Sequence, residues 1–147
     1  MQVQEIMTSN PACCTPEMDL QQVARMMAEC NCGAIPVVDD EQSKHLVGII
    51  TDRDITCRAV AQGQNPFAAT VGDCMTSPVF TVNPDTDLMD CIQVMEAHQV
   101  RRVPVQDTNG CCCGMVAQAD IARYAPEQEA GTLIKEISQS EPSAMIH

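Results

Sequence analysis

Short apolar runs alternate along this chain with longer stretches in which apolar residues recur every three or four positions. That is the pattern of strands alternating with amphipathic helices. Leu20, Val23, Ala24, Met27 and Ala28 keep helical spacing after Asp19, and Leu88, Cys91, Ile92 and Met95 keep it after Asp87. Each aspartate stands where a helix N-cap belongs, since a short carboxylate accepts the unpaired N–H groups of a first turn. Residues 35–38 and 103–105 read as short strands whose prolines, Pro36 and Pro104, suggest a sheet edge or a strand start. Turn-rich segments at 39–44 and 106–110 lead into strands at 46–50 and 111–116, and helices are expected over 52–61 and 118–124. With the extended segments 12–15 and 79–82 in front, each half reads β-α-β-β-α.

The two halves are copies. Glu5-Ile6-Met7-Thr8-Ser9 returns as Asp73-Cys74-Met75-Thr76-Ser77, 68 residues later. Pro16-x-x-Asp19-Leu20 and Ile35-Pro36-Val37 return at the same offset as Pro84-x-x-Asp87-Leu88 and Val103-Pro104-Val105. Gly48-x-x-Thr51-x-x-Asp54-Ile55 returns as Gly114-x-x-Ala117-x-x-Asp120-Ile121 at an offset of 66, which needs only a slightly shorter turn. Blocks in one order at nearly one offset indicate duplication. The expected organisation is a first repeat over 3–62, a linker over 63–72 and a second repeat over 73–125. A C-terminal helix over 126–138 and a flexible tail over 139–147 complete it. Neither half buries much alone, so two halves packed sheet to sheet and sharing one core are expected, with clefts at their pseudo-twofold junction. The fold class is α/β (α+β).

Composition narrows the function. The formal charge of −12 argues against nucleic acid and anionic membranes as partners, because both require a basic face. No apolar run approaches the length of a membrane span, and residues 1–5 lack a basic or apolar targeting pattern, so a soluble, cytoplasmic protein is expected. No nucleophile–base pair, paired acids or phosphate loop is visible, so catalysis is not expected. Ten cysteines are many for 147 residues. Cys57 and Cys91 fall on apolar helical positions, where a thiol acts as a small hydrophobe. Cys13-Cys14, Cys30-x-Cys32 and Cys111-Cys112-Cys113 leave two readings open. They are incidental thiols, or they form a cysteine-based metal or redox sensor; a lone C-x-C is a weak metal signal, and no metal site is assigned.

The strand-to-helix junction at Thr51 carries the candidate chemistry. Helix N-termini offer free N–H groups and partial positive charge, and Thr51 with Asp54 places a hydroxyl and a carboxylate there. The pair suits sugar hydroxyls, and it equally matches a purely structural capping box. The chain has eight lysines and arginines, and Arg53, Arg58, Arg101 and Arg102 are half of them. Arg101 and Arg102 suit either an anionic ligand or a solvated, ion-paired face. His98, ending a helix, reads as a dipole partner, and His45 lies in a turn with no assigned role.

The duplicated β-α-β-β-α unit, its hydrophobic-Pro-Val strands and its G-h-x-T-x-x-D junctions resemble the CBS domain pair, or Bateman module, of small stand-alone bacterial type. Val100-Arg101-Arg102-Val103-Pro104-Val105 and Ala119-Asp120-Ile121-Ala122-Arg123 add to the likeness, which covers residues 3–124. The resemblance implies a regulatory protein, commonly a homodimer, that needs no cofactor and binds an adenosyl ligand (AMP, ADP, ATP or S-adenosylmethionine) for an effector protein yet to be identified. It implies one site of Thr51 and Asp54 with Ser77, Val79, Arg101 and Arg102. There Asp54 takes the ribose hydroxyls, Thr51 orients the ribose or α-phosphate, and Ile49 and Val79 sandwich the adenine. The arginines, with Arg53 or Arg58, face the phosphates. A second, weaker site combines Asp120 and Ala117 with Ala12, Cys13, Cys32, Gly33 and Ala34. It lacks the threonine and an arginine pair before Pro36, so it is expected to be empty, weak, or filled by an uncharged nucleoside.

Overall fold

The structure is a computed structural model that describes residues 1–138; the tail expected at 139–147 lies outside the described residues. After a helical turn at Val3–Glu5 come β1 (Thr8–Ser9), α1 (Leu20–Cys30), β2 (Ala34–Val38) and β3 (Leu46–Thr51). Next are α2 (Asp52–Asp54) and its continuation Ile55–Val60, then α3 (Val71–Cys74), α4 (Leu88–His98), β4 (Arg102–Gln106) and β5 (Cys112–Ala117). The chain closes with α5 (Gln118–Tyr124) and α6 (Glu127–Ser138).

Local chemistry sets the ends of these elements. Asp19 caps α1 by accepting the Gln22 N–H at 2.8 Å, and Asp87 caps α4 by accepting the Met89 N–H at 3.3 Å. Both helices stop at a left-handed residue, Asn31 (φ 52°) and Gln99 (φ 53°). The following N–H groups return to the helix, Cys32 to the Met27 carbonyl and Val100 to the Met95 carbonyl, each at 3.0 Å. Helix α1 buries Leu20, Val23 and Met27 but leaves Ala24 and Ala28 exposed, so its apolar stripe is narrower than the spacing predicts. Beyond Asp54 the helix widens into π-type turns, as in the Ala61 N–H to Thr56 carbonyl bond of 2.8 Å. Ile55 and Ala59 form its buried face and Cys57, midway between them, is exposed, which corrects its expected apolar role.

Strands β2 and β3 form one antiparallel sheet and β1, β5 and β4 another, in the order β1-β5-β4. Pro36 sits mid-strand, and its missing N–H costs no ladder bond. Its carbonyl, and so its nitrogen, faces the short lead-in segment, where it accepts the Cys14 N–H at 3.0 Å.

The repeats trade their leading segments. Thr8 pairs with Met115 of the second repeat, and its copy Thr76 pairs with Ile49 of the first. The turn at residues 3–5 docks on the second repeat, with Val3 N–H to Thr86 carbonyl at 2.9 Å and Gln4 N–H to Pro84 carbonyl at 3.0 Å. Its copy α3 docks on the first, with Val71 N–H to Met18 carbonyl at 2.8 Å and Gly72 N–H to Pro16 carbonyl at 2.9 Å. The buried residues accordingly form two clusters rather than the single shared core expected. Ala69, Val71 and Cys74 complete the first repeat's cluster around Leu20, Ile35 and Ile50. Val3 and Ile6 complete the second around Leu88, Ile92 and Val116. Of the residues read as linker, Ala69 and Val71 are thus core.

The sheets meet on the pseudo-twofold axis. His45 bridges Cys111, its own copy, with Leu46 N–H to Gly110 carbonyl at 3.1 Å and Cys112 N–H to Lys44 carbonyl at 2.8 Å. Side-chain turns hold both partners in place. Asp39 Oδ1 accepts the Ser43 hydroxyl at 2.7 Å and the His45 N–H at 3.0 Å, and Asp107 Oδ1 accepts the Cys111 N–H at 3.0 Å.

Each exchanged segment passes over a glycine. A Cβ on Gly48 would meet the Thr76 carbonyl oxygen at 2.8 Å and Met75 Sδ at 2.9 Å, whereas one on Gly114 would meet only the Met7 side chain. A flexible methionine can move aside and a paired backbone cannot. Gly48→Ala is therefore expected to cost about 1–3 kcal/mol and Gly114→Ala distinctly less, read from urea midpoints. Equal costs would contradict this account of the exchange.

Candidate functional site: the clefts between the repeats

The two junction carboxylates have different partners. Thr51 Oγ1 accepts the Asp54 N–H and Asp54 Oδ2 accepts the Thr51 N–H, both at 3.0 Å, a complete capping box. The other oxygen, Asp54 Oδ1, lies 3.8 Å from Arg58 Nε. Arg58 Nη1 also donates to the Cys74 and Met75 carbonyls, at 3.1 and 3.2 Å. This arginine ties α2 to the exchanged turn rather than facing a phosphate. In the second repeat Asp120 Oδ2 accepts the Ala117 N–H at 2.8 Å, and the reciprocal bond is missing because Ala117 has no hydroxyl. Among the described residues Asp120 Oδ1 has no hydrogen-bond partner. Capping and ligand contact are therefore compatible: one oxygen holds the helix start, and the second can face a ligand.

Asp120 borders a cavity of about 400 Å³ between the repeats. The first repeat supplies one wall, from Thr8, Pro11 and Ala12 and from Cys30–Ala34 where α1 turns into β2; the second supplies Arg102, Met115, Ala117 and Asp120. The volume suits a small organic ligand, and apolar walls with a few polar groups are what such sites present. Cys30 and Cys32 lie side by side at the rim, and burial, with Cys30 next to it, pushes the Cys32 thiol up.

Arg102 is placed differently from expectation. Its strand position pairs with Ala117, but its guanidinium reaches across to Gly33, with Nη2 2.9 Å from where a Gly33 Cβ would lie. Asp52 Oδ2 lies 3.1 Å from the same point, so a carboxylate borders that space. Gly33 leaves room for the guanidinium, and the cleft expected to lack a cation holds one.

Around the first cleft, Ile49 pairs with Thr76, and the Ser77 hydroxyl is spent on the Val47 carbonyl at 2.8 Å. Val79 is half-buried. Arg53 is exposed, its N–H on Asp52 Oδ1 at 2.8 Å. Arg101 borders, with Arg102 and Ala117, a depression beside Gln118, Ala119 and Ala122 of α5 and Ile134 of α6. Thr51, Asp54, Ile49 and Ser77 thus gather at the β3–α2 junction, and the Arg102 guanidinium lies beside Asp52 at the start of α2, while Arg101 borders the depression against α5 and α6. Cys13 stands beside this second cleft without lining it.

Sequence reasoning missed Thr8, Pro11, Cys30, Asn31 and Met115 as wall residues, and it missed Phe80. The Phe80 and His98 rings stack with centroids 3.5 Å apart and planes 10° from parallel. The repeat offset of 68 puts them where Ala12 and Cys30 line the open cavity, so that offset was the available signal. Among the described residues no group of three or more His, Cys, Asp or Glu side chains could hold a metal ion, and no helix is long and apolar enough to cross a membrane.

Known proteins share this architecture. Hypoxic response protein 1 of Mycobacterium tuberculosis is 35% identical over 133 residues, covering 90% of this chain and 91% of that protein. Its crystal structure, described with two coordinated zinc ions, superposes with a TM-score of 0.77 over 86% of this chain and all of that one. The CBS domain-containing protein YhcV of Bacillus subtilis is 36% identical over 137 residues, covering 92% of this chain and 94% of that protein. The CBS domain pair of protein MJ0100, crystallised with 5′-methylthioadenosine and S-adenosyl-L-methionine, is 29% identical, with a TM-score of 0.75 over 84% of this chain and 98% of that one. The CBS domain model matches residues 3–59 and again 71–127, and the chain belongs to the CBS domain family as a tandem pair.

Proposed function

We propose that this CBS pair is a non-enzymatic sensor that binds an adenosyl ligand of the AMP, ADP, ATP or S-adenosylmethionine class between its repeats and reports occupancy to an effector protein, acting as a homodimer. The observation that carries the reading is the inter-repeat cavity of about 400 Å³, bordered by a half-engaged carboxylate and a guanidinium. Asp120 Oδ1 accepts the ribose hydroxyls, and a charged acceptor makes those bonds stronger than neutral ones. Ala12, Ala34 and Met115 offer apolar surface to the base. Arg102 meets the phosphate or carboxylate end and offsets the repulsion between an anion and a chain of formal charge −12. The adenosyl compounds held by the MJ0100 pair support the ligand class.

The Thr51–Asp54 cleft is the second position, with Ile49 and Val79 flanking a base and Asp54 taking the sugar. There Arg58 must release Asp54, and the Phe80–His98 stack occupies the positions equivalent to Ala12 and Cys30. The second-repeat cleft, read from sequence as the weaker, is therefore the one expected to fill first.

Binding to the folded state raises stability by about 2.7 kcal/mol at a hundredfold excess over Kd. A thermal-shift series with AMP, S-adenosylmethionine and 5′-methylthioadenosine is expected to raise Tm for at least one; no shift with any of them contradicts the reading. Asp120→Asn keeps an acceptor for the Ala117 N–H but removes the charge, and is expected to weaken binding about tenfold. Arg102→Ala is expected to weaken AMP more than uncharged methylthioadenosine, and an equal loss for both would remove Arg102 from the anion's contacts. Asp54→Ala is expected to cost about 1 kcal/mol of stability through the lost cap while leaving the first binding event nearly intact. Titration calorimetry separates those outcomes.

A further inference from the structure

Two cysteines from different repeats touch at the seam. Cys13 lies half-buried in the lead-in segment of the first repeat, with Sγ 3.3 Å from the Pro11 carbonyl oxygen. Cys112 is buried at the start of β5, with Sγ 3.7 Å from the Gly114 carbonyl oxygen. The Cys112 thiol is hydrogen-bonded to the Cys13 sulfur. Backbone pairing brings the two segments together. Thr8 and Ser9 lie opposite Met115 and Gly114, the Asn10 N–H reaches the Cys113 carbonyl at 3.1 Å, and the Cys112 N–H reaches the Lys44 carbonyl at 2.8 Å.

The pair is chemically unequal. The hydrogen bond from Cys112, and more weakly the Lys44 cation, bring the Cys13 thiol down to about 7 against the opposing effect of burial. The same bond, with burial, pushes Cys112 up. Neighbouring Cys14 is fully buried and pushed up to about 12, and Cys91, inside the second core, to about 11. A partly exposed thiol that loses its proton readily, beside one that holds it, is an attacking and resolving pair.

We propose that Cys13 and Cys112 form a reversible disulfide that joins the two repeats covalently in the presence of a small-molecule disulfide such as oxidised glutathione. The Cys13 thiolate attacks one sulfur of oxidised glutathione, whose S–S bond breaks and releases one glutathione thiolate. Cys112 then loses its proton to solvent and attacks Cys13 Sγ, expelling the second glutathione. Two protein thiols are oxidised and one glutathione disulfide is reduced. Pro11 and Ala12, directly before Cys13, and Met115, on the same strand as Cys112, border the open cavity, so the bond fixes two of its walls at their root. That effect on the cavity rests on the adenosyl reading; the disulfide does not.

The test is oxidation of the full chain in glutathione buffers, followed by alkylation and tandem mass spectrometry. Expected first is a dithiothreitol-reversible Cys13–Cys112 cross-link, with a rise in Tm of several degrees because it closes a very long loop. Cys112→Ser is expected to stop at a glutathione adduct on Cys13. Cys13→Ser is expected to lose both products, and Cys14→Ser to keep the cross-link. Alkylation of Cys13 is expected to accelerate as pH rises through about 7, ahead of Cys14, Cys32 and Cys112. The proposal is overturned by a first-formed Cys13–Cys14 or Cys13–Cys113 bond, by a Cys13 adduct that persists with Cys112 still alkylatable, or by no oxidation of Cys13 at all. None of these readouts requires nucleotide, so failure here is distinct from failure of ligand binding.

Discussion

The structure depends on a reciprocal debt: neither repeat contains all of its own core. The turn before each copy closes the other copy's hydrophobic cluster, Val3 and Ile6 in one direction and Val71 and Cys74 in the other. Cut from its partner, the first repeat would expose Leu20, Ile35 and Ile50 where Ala69, Val71 and Cys74 now cover them. The obligation also positions the clefts. Because β1 crosses to β5, the residues that follow it run back along the seam, and Pro11 and Ala12 come to face Ala117 and Asp120. A surface shared by both repeats is then a necessary product of the topology. The self-paired bridge at His45 and Cys111 holds its far end.

Duplication followed by divergence explains why two equivalent junctions behave differently. In the first copy threonine and aspartate cap one another, and Arg58 draws the remaining oxygen toward the exchanged turn. In the second copy alanine removes one bond of the cap, and the aspartate still holds its backbone N–H. Stability favours the first arrangement and availability favours the second. The ring stack of Phe80 on His98 adds bulk where the other copy has Ala12 and Cys30.

Much of this was legible in the sequence because it is local or repeated. Apolar spacing, capping aspartates and the offsets of 68 and 66 locate α1 with α4, β2 with β4, β3 with β5 and α2 with α5. The leading strands expected at 12–15 and 79–82 are only isolated bridges at Cys14 and Val82, and β1 and α3 were not foreseen. The exchange was not legible, since Val3 and Val71 look like ordinary leading residues until a partner for them is seen. The direction taken by Arg102 was not legible either: a long side chain goes where another segment leaves space, here beside Gly33. Contact between Cys13 and Cys112 likewise depends on strand register between repeats. Ala24, Ala28 and Cys57 fit an apolar pattern yet stand in solvent, because spacing marks a face without showing how far its cover extends.

The measurement that bears most directly on the central claim, that the seam between repeats is where an adenosyl ligand is sensed, is a ¹H–¹⁵N chemical-shift titration with AMP. The largest, saturable changes are expected at the amides of Gly33, Ala34, Ala117 and Asp120. Saturable changes confined to α6 or to the exposed face of α1, or a spectrum unmoved at millimolar AMP and S-adenosylmethionine, would contradict it.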